Sequence, residues 1–374
     1  MDYIRPRIKP IHKIYRTSNS TFRIGTQLNI MKEFEDPEQE FWELTNLLDG
    51  RNLDEILKKM LDKFPHLTKN DILNGIKLLD VEGFIEELIK ENEVKTRYSS
   101  NINYFSNFIN SKGNRFEIQQ KIHDSTILLL GIGGGGSNIL TLLSGLGPKK
   151  VIIVDYDIVE KNNLGRQFLY RESDIDNYKV EIAKKAINKM NSSIEIISHN
   201  KKIETPEDIL EIIDGENIDI AISAIDEPVY RAFRIVNKSM IKANIPCVYG
   251  ASMITSGRVF SVIPKETPCV DCIHINTFEY VKEYIKDFTE IKDIEEFDTP
   301  SYGPNIFQIS GITVDEAIRI LTGYKEPRTK NNFYEVDFEN GEVFNENIGI
   351  RQEKCPTCGT GSEEDFIKNI LELD

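Results

Sequence analysis

The sequence predicts two folded parts: a small winged-helix-like domain, then a doubly wound, Rossmann-like α/β domain. Three observations predict it. From about Ile118 onwards, apolar runs alternate with segments of helical periodicity. One of those runs, starting at Thr126, passes directly into glycines and then into a helix. Ahead of it, three amphipathic helices follow short strand-like runs.

Taken in order, the run from Thr21 to Met31 reads as extended, with Phe22–Met31 as its candidate strand. Helices are expected around Phe41–Leu48, Leu53–Lys63 and Lys69–Glu82. Ile56, Met60, Ile72, Ile76 and Leu79 recur there at three- and four-residue steps, which gives each helix one dry face. Gly83-Phe84-Ile85 reads as a short strand. The polar, Asn- and Ser-rich stretch that follows reads as a linker with a lead-in helix. Strands are then expected at Thr126–Leu130, Val151–Asp155, Ile194–Ser198, Ile218–Ser223, Cys247–Gly250 and Arg258–Ile263. The acidic run Glu279–Phe297 reads as a solvated loop bridging back over the site, inside a crossover of about 276–305. The expected domains are 1–90, the linker and lead-in helix at 91–117, and 118–374.

Bulk properties narrow the class. A chain of 374 residues can bury more than one core. Its net charge of −15, spread along the sequence, argues against a nucleic-acid partner, which would require a basic face. The N-terminal run MDYIRPRIKPIHKIYR lacks the apolar stretch of a signal peptide. The uncharged window Ser125–Gly147 is long enough to imitate a membrane span, but the run Gly133–Gly136 fits a buried strand, turn and helix better. The expectation is a soluble cytoplasmic protein with no membrane partner.

Of the five cysteines, four form two short pairs, Cys269/Cys272 and Cys355/Cys358. Two thiolates at this spacing span one edge of a tetrahedron, so a shared structural zinc is the expectation, stapling the C-terminal tail to the body. Two disulfides or a redox pair remain open on spacing alone. Cys247, in the apolar run IPCVYG, reads as a buried core thiol.

The chemistry centres on Gly131, Gly133, Gly134 and Gly136. Glycines let a phosphate approach the backbone, and the helix behind them offers unpaired N–H groups and partial positive charge. Alone, this loop fits NAD, FAD, SAM or ATP. Asp155, ending the next strand, suits ribose hydroxyls in any of these. Beyond it lie Asp157, Asn163, Arg166 and Gln167, and Lys179 follows thirteen residues after Arg166. A redox nucleotide site has no need of those cations; a triphosphate does. Taken singly, Lys179 also reads as a solvated helix residue, and Asp226 as a strand-end acid capping the next helix.

Here the sequence resembles the ThiF/MoeB/HesA superfamily of adenylating enzymes, which includes the ubiquitin-activating enzymes. The resemblance spans about Arg97 to Gly359 and takes in Asp226 and both cysteine pairs. It implies that Asp155 holds the ribose and that Asn163, Arg166 and Gln167 contact the triphosphate. It also implies Lys179 on the α-phosphate, magnesium on Asp226, and ATP as the nucleotide. In many relatives the lead-in helix carries Arg-Tyr-x-Arg, whereas this chain has Arg97-Tyr98-Ser99-Ser100 and lacks the second arginine. The loop Thr299–Pro304 also lacks the cysteine with which some relatives form a thioester or persulfide. Adenylation without thiol transfer is the simpler expectation.

The first domain resembles the peptide clamps that recognise leader peptides of ribosomally made, modified peptides. Leu47-Leu48-Asp49-Gly50 and the helix running into Gly83-Phe84-Ile85 carry that likeness. Such clamps bind an extended peptide along a strand edge. A plain winged-helix packing module remains open. Clamp and adenylating domain together most resemble the microcin C-type peptide adenylating enzymes, implying a homodimer that activates a small peptide's C-terminus. The alternatives are a sulfur-carrier or ubiquitin-like protein as substrate, or a non-catalytic leader-delivery subunit. A NAD oxidoreductase ranks last, since no hydride-transfer acid or base accompanies the loop.

Overall fold

The computed structural model describes residues 3–89, 95–225, 231–277 and 300–366. The chain divides into two compact units, Met1–Gln120 and Lys121–Asp374.

In the first unit, β1 (Pro6–Ile8) pairs antiparallel with β5 (Ile85–Glu87). A separate antiparallel sheet has the order β2-β3-β4, formed by Ile14–Arg16, Thr21–Ile24 and Lys32–Glu35. Between them run α1 (Glu40–Leu47), α2 (Leu53–Lys63) and α3 (Lys69–Val81). Thr68 and Asp71 close a capping box that starts α3, and Gly83, at φ +78°, turns the chain out of it. Ile56, Met60, Ile72, Ile76 and Leu79 are all buried against Phe22, Ile24 and Phe84, as their spacing predicts. The polar stretch after Lys95 forms α4 (Ser99–Phe105), a 3₁₀ turn at Ser106–Phe108 and α5 (Arg115–Asp124).

The expected strand Phe22–Met31 is corrected. Gly25, at φ +89°, ends β3 after Ile24, and the chain turns before β4 begins at Lys32. β3 is moreover the central strand, paired on both sides, so it has no edge to offer. Among the described residues, the free edges of this sheet are β2 and β4. The short strand expected at Gly83–Ile85 lies two residues later, because Gly83 belongs to the turn.

In the second unit one eight-stranded sheet has the order β13-β12-β11-β10-β9-β6-β7-β8. Its parallel half comprises β6 (Thr126–Leu130), β7 (Lys150–Asp155), β8 (Glu195–Asn200), β9 (Ile220–Ser223) and β10 (Cys247–Ser252). All five residues of β6 are buried, as a strand covered on both faces requires. The connecting helices are α6 (Gly134–Leu146), α7 (Lys179–Met190), α8 (Pro206–Ile212) and α9 (Arg231–Ala243). β11 (Ser256–Val262) turns back antiparallel on β10, and the short helix α10 (Val270–Asn276) follows it. The long helix α11 (Gly303–Thr322) then precedes β12 (Asn332–Asp337) and β13 (Val343–Asn347). Neither of these last two strands was anticipated. The strand order reverses between β6 and β9, which opens a crevice at the carboxyl end of β6. Cys247, the first residue of β10 between β9 and β11, is fully buried, and burial pushes its thiol up to about 12. The expected loop Glu279–Phe297 lies outside the described residues.

Candidate functional site: a glycine loop and a four-cysteine module

The glycine loop sits at the strand-order reversal. Gly131 takes φ +84°, and a Cβ there would stand 2.7 Å from the Ala224 carbonyl oxygen. A Cβ on Gly136 would stand 1.8 Å from the Gly131 oxygen, so the turn closes only without side chains at either position. Gly133 caps α6 and Gly134 begins it, with no acidic residue in the first turn to oppose an arriving anion.

Asp155, at the end of β7, accepts the Ile132 N–H at 2.6 Å on one oxygen and the Asp157 N–H at 2.8 Å on the other. Burial pushes its carboxyl above the usual range, opposed by nearby Lys179 and by those two N–H groups. Tyr170, buried under the loop, donates its hydroxyl to the Ile132 carbonyl at 2.8 Å, and burial raises that phenol well above its ordinary value. The glycine loop is thus held at both main-chain groups of Ile132, its N–H and its C=O. No motif signalled Tyr170.

The turn at Lys161–Gly165 presents the polar group. Asn163 is buried and accepts the Glu160 N–H at 3.0 Å, closing the turn with its own side chain. Arg166 is half-buried, and its Nε lies 3.8 Å from the position of a Cβ on Gly134, directly against the start of α6. Gln167 is buried, with its amide nitrogen 3.9 Å from the equivalent position on Gly133, and its Oε1 has no hydrogen-bond partner. An orphaned buried acceptor costs about 1–3 kcal/mol, so a polar group brought into the loop would satisfy it. Lys179 opens α7 with only 6% of its side chain exposed, and its ammonium lies 2.7 Å from Asp157 Oδ2. Lys185 and Lys189 on the same helix are exposed, which separates Lys179 from the solvated lysines around it. Ile306 of α11 comes within 3.1 Å of the Gly134 Cβ position, and Ser310 donates to the Gly135 carbonyl at 3.3 Å. The structure therefore brings together Gly131, Gly133, Gly134, Gly136, Asp155, Asp157, Asn163, Arg166, Gln167 and Lys179. Asp226 lies outside the described residues.

The chain belongs to the ThiF family. Its family model matches residues 98–357, more than half of the chain. Curated relatives agree with that assignment. A "Sulfur carrier protein ThiS adenylyltransferase" of Bacillus subtilis is 28% identical over 65% of this chain and 67% of its own length. An "Adenylyltransferase and sulfurtransferase MOCS3" of Dictyostelium discoideum is 28% identical over 64% of this chain and 53% of its own. The match thus spans two thirds of the first relative and about half of the second. Among solved structures, E. coli MccB crystallised with ATP is 21% identical, covering 95% of this chain and 100% of that one at a TM-score of 0.77. The microcin C7 biosynthetic enzyme MccB in complex with N-formylated MccA gives 21%, 95%, 100% and 0.78 by the same measures. At these identities the structural likeness concerns the fold. This ThiF-family chain is an adenylyltransferase of the ThiF type.

The second candidate site is a cysteine cluster that could hold a metal ion. Cys269, Cys272, Cys355 and Cys358 bring four sulfurs within 4.8 Å of one another, with Sγ–Sγ distances of 3.8, 3.5 and 3.3 Å. All four are free thiols at separations far above the S–S bond length of about 2.05 Å, so the pairs are not disulfides. A tetrahedral ZnS₄ centre with bonds of about 2.3 Å would place its sulfurs about 3.8 Å apart, and the cluster could hold zinc. The Gln352 N–H points at Cys272 Sγ (3.3 Å) and the Cys358 N–H at Cys355 Sγ (3.5 Å), which suits thiolates. Asp271, fully buried between the first two cysteines, receives two bonds from Arg234 of α9 and one from Thr357 between the last two. One carboxylate therefore ties both cysteine loops to α9. Among the described residues, no helix is long and apolar enough to cross a membrane.

Proposed function

We propose that this ThiF-type adenylyltransferase activates the C-terminal carboxylate of a small ribosomally made peptide with ATP. The observation that carries the nucleotide half is the buried Lys179 ammonium, paired with Asp157 and linked through Asp155 to the Ile132 N–H of the glycine loop. A carboxylate is already an anion at neutral pH and needs no base. It attacks the α-phosphorus, a new acyl–phosphate bond forms, the bond to the bridging oxygen breaks, and pyrophosphate leaves. The barrier lies in bringing one anion to a polyanion, so catalysis consists of positioning and charge neutralisation. In this reading Asp155 accepts from the ribose, and the α6 N-terminus with Arg166 and Gln167 takes the phosphates. Lys179 meets the α-phosphate. Asp226 would hold magnesium, which would neutralise charge on the leaving pyrophosphate. The proposed assembly is a homodimer.

The peptide half rests on the first unit. Asp36 donates its N–H to the Ser20 carbonyl at 2.7 Å, so Lys32, Phe34 and Asp36 turn their main-chain groups toward β3. By alternation, the N–H and C=O groups of Glu33 and Glu35 face away from β3. A peptide added there as a further strand would make main-chain bonds with them. Lys32 pairs with Glu82 and so joins this strand to the end of α3, where Leu78 and Val81 are exposed. MccB, whose fold this chain shares, has been crystallised with ATP and with MccA, which supports peptide over protein as the substrate.

A second reading has an observation behind it as well: the Bacillus subtilis relative is named for a sulfur carrier protein. One experiment separates the two. The protein is incubated with ATP, magnesium and either a library of short peptides with free C-termini or a carrier protein ending in Gly-Gly, and products are read by mass spectrometry. Peptide–AMP adducts are expected. An adduct confined to the carrier would replace the peptide reading, and failure to bind ATP at all would point to a delivery subunit.

A further inference from the structure

Asp157 occupies a singular position between the ribose-side acid and the buried cation. Its N–H donates to Asp155 Oδ1 at 2.8 Å, its main-chain carbonyl accepts the Lys179 N–H at 2.9 Å, and its Oδ2 stands 2.7 Å from the Lys179 ammonium. The two partners differ sharply in freedom. Lys179 keeps 6% of its side-chain surface, whereas Asp157 keeps 43%. Without an anion beside it, a buried ammonium is costly, and in this structure the Asp157 carboxylate is that anion. A triphosphate arriving at the glycine loop brings a second claim on the same ammonium. Both anions cannot crowd it without mutual repulsion. The lysine is packed in place while the aspartate can turn into water, so the aspartate is the group that yields.

We propose that Asp157 is a positioning residue that keeps the Lys179 ammonium paired and aimed in the nucleotide-free protein, and releases it to the α-phosphate when ATP binds. It competes with the triphosphate rather than binding it. The inference rests on reading Lys179 as the α-phosphate cation. It reverses the sign of what a nucleotide contact at Asp157 would do.

That sign is measurable by calorimetry, with a non-hydrolysable ATP analogue and magnesium but no peptide. The proteins are the full-length chain, Asp157→Asn, Lys179→Met and the double variant. Asp157→Asn keeps the side chain's shape and should bind the analogue about fivefold more tightly, the upper range for a part-exposed ion pair. Asp157→Ser should shift affinity in the same direction, which guards against an artefact of the amide. In the Lys179→Met background the gain from Asp157→Asn should disappear, because no ammonium is left to contest. Weaker binding by both Asp157 variants would overturn the proposal and make Asp157 a nucleotide ligand. An equal gain in both backgrounds would also overturn it, reducing Asp157 to general charge repulsion. Absence of binding by the unmodified chain would instead defeat the nucleotide reading on which the proposal depends.

Discussion

The Tyr170 hydroxyl reaches the Ile132 carbonyl across 2.8 Å, and both residues are buried at the turn where the sheet hands its first strand to the glycine loop. Tyr170→Phe leaves that carbonyl without its partner while preserving the ring. We expect a loss of about 1–2 kcal/mol in urea unfolding, because an orphaned buried acceptor bears its full desolvation cost. Weaker nucleotide binding should accompany it, since the loop is no longer held on that side. Unchanged stability would mean that water replaces the hydroxyl.

Asp155 makes the matching contact on the N–H of the same residue, Ile132, and its effect carries a pH signature. Burial raises its carboxyl above the ordinary aspartate range near 4. Between its unfolded and folded values the folded chain therefore holds more protons than the unfolded one. This group's contribution to stability must then fall as pH rises through that window. Unfolding free energies of the native chain and Asp155→Asn, compared over a pH series, should show the native chain losing stability relative to the variant as pH rises from about 4. The opposite slope would mean that the N–H groups of Ile132 and Asp157 outweigh burial.

Arg234→Met tests the tie behind the cysteine module. The substitution leaves the Asp271 carboxylate, fully buried, without its two-bond partner. Breaking a buried pair from one side costs about 3 kcal/mol or more. We expect a lowered unfolding midpoint, together with easier loss of metal to a chelator. Replacing Asp271 by Asn in the same chain should restore part of the loss.

Removal of the metal should be felt across the fold's C-terminal end. One zinc per chain is expected by elemental analysis. Chelation under reducing conditions should lower the melting temperature by at least about 5 °C, since structural zinc contributes its binding energy to folding. Cys355→Ser should behave like the chelated protein. A chain purified without metal and equally stable would show that the four thiols stabilise the module unaided.

How much of this was legible in the sequence depends on how each residue acts. The glycine loop could be read because close packing at Gly131 and Gly136 forbids any other residue, and such constraints leave a motif. The cysteine module was readable because two short pairs at that spacing mark a cluster that could hold a metal. Tyr170 was not, because it acts through one hydroxyl on one carbonyl, and a single aromatic in an apolar run resembles core. Strand β13 escaped because all five of its residues are exposed, so the alternation that betrays a half-buried strand is absent. β1 is three residues long and begins with a proline. The candidate strand Phe22–Met31 was drawn too long because composition does not register that Gly25 has left the extended region.

The proposed peptide-docking edge at β4 has its own test. Glu33→Pro removes an N–H that faces away from β3 and leaves the ladder bonds of Phe34 untouched. Peptide binding should weaken at least about tenfold with nucleotide binding unaltered, the loss expected for strand addition through main-chain bonds. Equal peptide affinity would move the docking edge to β2.

The most direct test of the whole account follows one oxygen atom. A substrate peptide labelled with oxygen-18 in its C-terminal carboxylate is turned over with ATP, the activated product is cleaved, and the label is located by mass spectrometry. Attack on the α-phosphorus, with Lys179 beside it, predicts labelled AMP and unlabelled pyrophosphate. Label in inorganic phosphate, with ADP as the nucleotide product, would contradict it.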